Sequence, residues 1–162
     1  MSASTQLWTP VLASAAGWFG WSLLIGTLAN RLPQDALRRD NRLTQLRSWE
    51  TRRRYEHGLA IRFWIRVLPD AGQALPGGVA KRALVRRDSQ ALERLMAETR
   101  RAEWVHWALW PFWIVTALWM PPIGVLANLL FATLFNLPCL AVQRYNRRRL
   151  QSSLARCGES GR

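Results

Sequence analysis

Histidine is nearly missing from this sequence, with His57 and His106 as its only two copies. Any imidazole chemistry must therefore run through one of them. Cysteine is as scarce, at Cys139 and Cys157, which excludes a disulfide-built scaffold. Lysine occurs once, at Lys81, among 23 cationic residues; base composition explains that as readily as a need for guanidinium, and it carries no argument. There are 10 acidic residues, which leaves a net charge of +13. No internal repeat and no low-complexity tract is present. No cation lies before Leu7, so a signal peptide with a positive n-region is not expected.

Charge is absent from two long stretches. Leu7 to Ala29 has none, and Trp104 to Val142 has none apart from the titratable His106. This clustering is how an apolar fraction of 49% coexists with a mean hydropathy of -0.10. A helix needs about 20 apolar residues to cross a bilayer. The first stretch gives one crossing. The second is interrupted by Pro121-Pro122, which disfavours a continuous helix. It divides into crossings at 102–120 and 123–142, the former short for a bilayer. Of the 23 cations, 17 lie between Arg31 and Arg101 and six after Val142, with none at the Met120–Pro122 turn. The positive-inside rule then gives three crossings, N-terminus out and C-terminus in, in a multi-pass protein of one membrane domain. One or two crossings would put a basic segment outside.

The expected fold is an all-α integral membrane protein. Thr9-Pro10 reads as the start of the 7–30 crossing and Asn30-Arg-Leu-Pro33 as its end. Residues 35–56, with Leu43, Leu46 and Trp49 at three-residue spacing, read as an amphipathic helix. Leu59–Leu68 is too short to cross and carries two arginines, so it reads as an interfacial helix. Pro69–Gly78 reads as a loop. Asp88 or Ser89 caps the next helix, which runs on through Arg101. The 31–101 region has too little apolar content for a soluble core of its own and forms a basic cap; 143–162 is a basic tail. Trp8, Trp104, Trp107 and Trp119 fall near the predicted boundaries, where indole suits the interface.

Chemistry-bearing groups collect where the crossings meet the headgroups. Glu103 and His106 are three apart and share a helix face. A carboxylate beside an imidazole fixes its tautomer and raises its basicity, so the pair is a candidate general base; the plainer reading is an interfacial anchor. Glu-x-x-His is also half of a carboxylate di-metal motif, but no second copy exists, and no metal is expected. Glu98 and Arg101 precede this pair. Gln143, Arg144, Tyr145, Asn146 and Arg147 begin at the inner end of the third crossing, and Asn136 lies about two turns deeper. Snorkelling explains the arginines there; it does not explain the amides and phenol, which suggest a headgroup or phosphate pocket. His57 and Asp70 are secondary candidates, His57 otherwise solvated and Asp70 otherwise a turn residue. Cys139 lacks an adjacent base and reads as packing.

Glu98-Thr-Arg-Arg-Ala-Glu-x-x-His-Trp107, Asn136-x-Pro138 and Gln143-Arg-Tyr-Asn-Arg-x-Arg-Leu150 resemble the glycosyl-4,4′-diaponeurosporenoate acyltransferase family. Arg31-Leu-Pro33, Glu56-His-Gly58, Leu68-Pro-Asp70 and Gly77-Gly78 add to the likeness, which covers about Arg31 to Leu150 in order. The resemblance implies a small bacterial cell-membrane protein that esterifies the sugar of a glycosylated carotenoid, or a similar glycolipid, with a fatty acyl group. Its partners would be membrane lipid, that acceptor and an acyl thioester donor, acyl-CoA or acyl carrier protein, with no other cofactor. The resemblance carries over no catalytic assignment; from the residues themselves, His106 is the expected base, oriented by Glu103. Arg101, Arg144 and Arg147 would face donor phosphate or developing negative charge, and Gln143 and Asn146 the sugar. The alternative is a non-catalytic membrane subunit whose basic cap binds anionic lipid or an acidic partner. Nucleic acid is not an expected partner: the positive charge follows topology and no recognition module is present.

Overall fold

The computed structural model describes residues 3–68 and 89–160. The expected loop at 69–78 and Asp88 lie outside the described residues. Among the described residues there are helices and turns and no strand. The helices are α1 (Ala3–Asn30), α2 (Ile61–Val67), α3 (Ser89–Leu109), α4 (Phe112–Thr116) and α5 (Pro122–Ser160). A 3-10 turn occupies Gln34–Leu37 and a π-helical turn Arg54–Gly58.

Two helices are long and apolar enough to cross a membrane, over Trp8–Asn30 and Pro122–Cys157. The 102–120 stretch differs from a single crossing helix. It breaks at Trp110-Pro111, resumes as the short α4 and ends in turns before Pro121. The cause is local: Pro111 cannot donate to the preceding turn and disfavours helix in the residue before it. α1 also starts ahead of Thr9-Pro10, with Pro10 inside the helix. α5 runs without interruption through Pro138 and past the boundary expected at 142.

Side-chain pairings give the arrangement. Along α3 and α5 they run in opposite sequence order: Trp110 with Thr133, His106 with Asn136, Glu103 with Arg147. Along α1 and the middle segment they do the same: Trp21 with Ala108, Trp18 with Phe112, Ser14 with Trp119. The chain thus goes up, down and up. From Ser14 to Asn30 α1 rises about 24 Å, and the middle segment returns alongside it.

The outer faces of these helices are apolar. Leu12, Phe19 and Leu23 on α1 are exposed, as are Ile123, Leu126, Leu130, Leu134 and Leu137 on α5. The inward face of α5 is the more polar one. Asn128, Ala132, Asn136, Leu140, Gln143 and Arg147 recur at three- and four-residue steps and are all buried. Indoles meet the polar groups of the apolar segments: Trp18 donates to Asn128 at 2.8 Å, Trp119 to Ser14 at 2.8 Å and Trp110 to Thr133 at 3.2 Å. Apolar groups outside and paired polar groups inside suit a hydrocarbon surround.

The 35–56 stretch does not form the expected amphipathic helix. Leu43 and Trp49 are exposed, whereas Thr44 and Glu50 are buried. Arginines of α5 bond the carbonyls of this stretch, so its backbone is satisfied without helical bonds. α2 does form where an interfacial helix is expected. It buries Ile61 beside Tyr55, Val142 and Tyr145 and exposes Phe63, Ile65 and Val67.

Close approach of α1 to α4 depends on Gly17. A Cβ there would stand 2.9 Å from Phe112 Cζ, whereas one at Gly20 meets nothing within 4 Å. Gly17→Ala should therefore lower the melting temperature of the detergent-solubilised protein, at an overpacking cost of about 1–3 kcal/mol. Gly20→Ala should leave it unchanged or raise it slightly. Thermal unfolding of both variants checks the contrast.

Candidate functional site

Glu103 lies on α3 with its side chain at 0% exposure, as does that of Arg147 on α5. One Glu103 oxygen accepts from Arg144 Nη1 and, at 3.5 Å, from Trp107 Nε1. The other accepts from Arg147 Nη2 at 2.7 Å. Taking such charges out of water costs several kcal/mol each, recovered only when the donors and acceptors are matched.

Arg144 carries the cluster onward. Its Nε and Nη2 grip both oxygens of Glu50, at 2.6 and 2.8 Å. Nη1 also reaches Leu43 O at 2.9 Å, and Nη2 reaches Gln45 O at 2.9 Å. With Glu103, all five N–H donors of this guanidinium are engaged. Arg147 Nη2 also donates to Thr44 O, and Arg148 reaches Glu50 O at 2.9 Å and Arg47 O at 2.7 Å. Arg100 repeats the pattern on α3, bonding Asp40 at 2.7 Å and Leu37 O at 3.1 Å. Burial raises the carboxyl of Glu50, but bonds from Arg144, Tyr55 and the Arg47 amide outweigh it and hold the group at about 2. Burial, then its bond to Glu50, push the Tyr55 phenol up. The Tyr145 hydroxyl, donating to Glu56 at 2.6 Å, is the main cause holding Glu56 low.

His106 has a different neighbour from the one expected. Its Nδ1 lies 3.0 Å from Asn136 Oδ1. The Asn136 amide is oriented by its own Nδ2, which donates to Ala132 O at 2.8 Å. An amide oxygen only accepts, so Nδ1 must carry the proton, and the lone pair of the neutral ring is on Nε2. Orientation of the imidazole thus passes from Glu103 to Asn136. The reason is competition: two guanidinium groups bind Glu103 more strongly than a neutral ring would.

Other expected site residues divide. Arg144 is committed to internal acceptors and has no donor left for phosphate in this conformation. Arg147 keeps Nε and Nη1 without a hydrogen-bond partner, Nε being 3.9 Å from Asp40. Gln143 is buried with Oε1 unpartnered, and Asn146 is half-buried. Arg101 pairs with Glu98 at 3.2 Å and reaches Leu32 O at 3.3 Å. His57 is exposed and makes no hydrogen bond to this cluster among the described residues; it lines a groove formed by 49–59. Asp70 lies outside the described residues. Among the described residues no cluster of three or more His, Cys, Asp or Glu is placed to hold a metal. The sequence reading missed Glu50, Thr44, Asp40 and Tyr55. Glu50 had a usable signal: a carboxylate in a strongly basic segment is a natural counter-ion for a buried guanidinium.

Two outcomes follow from the cluster. Glu103→Gln should leave buried guanidinium charge uncompensated and destabilise the fold by about 3–5 kcal/mol, read as a loss of melting temperature or of folded yield. Glu50 ordinarily titrates near 4.5 and is held at about 2 in the fold. Its stabilising contribution is then complete above pH 4.5 and lost as pH falls toward 2. Glu50→Gln should flatten that acid limb in a melting series against pH.

A family model described as glycosyl-4,4′-diaponeurosporenoate acyltransferase matches residues 39–156. Three Staphylococcus aureus proteins of that name align over 139 residues, 85% of this chain and 83% of theirs. The protein of strain bovine RF122 / ET3-1 is 28% identical, and those of strains USA300 and NCTC 8325 / PS 47 are 27% identical. No solved structure matches. The matched span holds the whole Glu50–Glu103–Arg144–Arg147 cluster and the His106–Asn136 pair. The chain belongs to the glycosyl-4,4′-diaponeurosporenoate acyltransferase family.

Proposed function

We propose that this protein is a membrane acyltransferase that esterifies a sugar hydroxyl of a glycosylated carotenoid with a fatty acyl group. The observation that carries the chemistry is the His106–Asn136 contact at 3.0 Å, with the amide itself fixed by Ala132 O at 2.8 Å. It puts the basic lone pair of a half-buried imidazole on Nε2. In the reaction, Nε2 takes the proton as the sugar oxygen attacks the thioester carbonyl. The C–S bond then breaks, and the imidazolium returns the proton to the leaving thiolate. Gln143 Oε1, buried and unpartnered, is an acceptor for another sugar hydroxyl. Glu103 and Arg144 act as positioning residues: they fix α3 against α5, and with it the distance from His106 to Asn136.

This reading puts the protein in the bacterial cell membrane as a multi-pass protein with three crossings, N-terminus out. α1, the α3–α4 segment and the first half of α5 are the crossings. The up-down-up course supports it, as do the apolar outer faces and the arginines gathered at one end. The donor is acyl-CoA or acyl carrier protein, reaching the site from the cytoplasm. A purely lipid-binding subunit has less support, because Arg144, Arg147 and Arg148 of α5 bond internal carboxylates and carbonyls rather than being left for headgroups.

Reconstitution in lipid with a radiolabelled acyl thioester and glycosylated carotenoid tests the reading. Wild type should form the acyl ester. His106→Ala should lose about 10²–10⁴-fold in rate at an unchanged melting temperature. Full activity in a folded His106→Ala protein would remove the base from this mechanism.

A further inference from the structure

Residues 49–59 fold around an open groove of about 600 Å³. Its floor includes Glu50 and Tyr55, both buried. Its exposed rim carries Arg53, Arg54 and His57. Trp49 and Leu59 add apolar surface, at 60% and 51% exposure.

Charge accounting leaves the rim of this groove positive. Glu50 is neutralised by Arg144, and Glu56 by Arg52 and Arg62. Arg53 and Arg54 make no ion pair among the described residues. The groove is therefore net positive on its rim, with its nearby acids already matched, and apolar beside the charges. A ligand with phosphate at one end and an apolar or amide-rich arm at the other fits both halves. The groove also connects to the site described above. Glu50, on its floor, is 2.6 Å from Arg144 Nε, Arg144 also binds Glu103, and His106 is one helical turn beyond, about 5 Å along α3.

We infer that this groove binds the phosphopantetheine-bearing head of the acyl thioester donor, with Arg53 and Arg54 on its phosphates and Trp49 and Leu59 against its arm. The inference rests on the acyl-transfer reading for the identity of the ligand. Coenzyme A and phosphopantetheinylated acyl carrier protein share this chemistry.

Binding tests it without requiring turnover. The full chain, in phosphatidylcholine nanodiscs, is titrated calorimetrically with coenzyme A and separately with phosphopantetheinylated carrier protein. The expected result is salt-sensitive binding of at least one of them. It should weaken tenfold or more in Arg53→Gln/Arg54→Gln and stay unchanged in Arg39→Gln/Arg42→Gln, an equal charge loss at exposed residues outside the groove. Which probe binds identifies the source. Equal weakening in both double variants would mean diffuse attraction and overturn the assignment, as would binding of neither probe. A groove variant that loses only binding to phosphatidylglycerol vesicles would make this a lipid-headgroup site and overturn it too. Ester formation measured on the same preparations separates the two readings. Ester without groove-dependent binding removes only the groove; groove-dependent binding without ester removes only the transfer chemistry.

Discussion

A carboxylate that loses all contact with water must be met by strong donors or give up its charge. Glu103 is in that position, and the rest of the structure follows from how it is met. Its two oxygens draw Arg144 and Arg147 inward from α5. A guanidinium has more donors than one carboxylate oxygen can use. The surplus reaches Glu50 and the carbonyls of Leu43, Thr44 and Gln45. One ion cluster thereby joins α3, α5 and the polar segment between α1 and α2. It also sets the register of α3 on α5, and that register brings His106 to Asn136.

The molecule is divided along α5. Toward Pro122 the helix is apolar outside and pairs its few inward polar groups with indoles. Beyond Leu140 the same inward face turns to Gln143 and Arg147 and meets carboxylates. The imidazole lies between these zones. In the proposed reaction, that position would let a lipid-borne sugar meet a soluble thioester.

Much of this was legible in the sequence, and for local reasons. Uncharged runs gave α1 and α5, Pro121-Pro122 gave the turn between the middle segment and α5, and the two polar motifs marked the stretches of α3 and α5 that meet at the site. What was hidden depends on contacts far apart in the chain. The three-residue spacing of Leu43, Leu46 and Trp49 suggested a helix, but arginines about a hundred residues away bond the backbone of that segment in its place. Buried Thr44 and Glu50 are the inverse of what that spacing implied. Spacing also paired Glu103 with His106, since it could not weigh one neutral ring against two guanidinium groups on another helix. The polar stripe of α5, from Asn128 through Asn136 and Gln143 to Arg147, was available as a signal: amides and a cation recurring on one face of an apolar helix mark its inward side.

The claim at the centre of this account is that Asn136 holds His106 with its proton on Nδ1 and its lone pair on Nε2. With only two histidines in the chain, ¹⁵N NMR of imidazole-labelled protein in lipid can read the tautomer directly, with His57→Gln assigning the signals. The account predicts that the neutral form of His106 carries its proton on Nδ1, with loss of that preference in Asn136→Leu. A neutral ring protonated at Nε2 would contradict it.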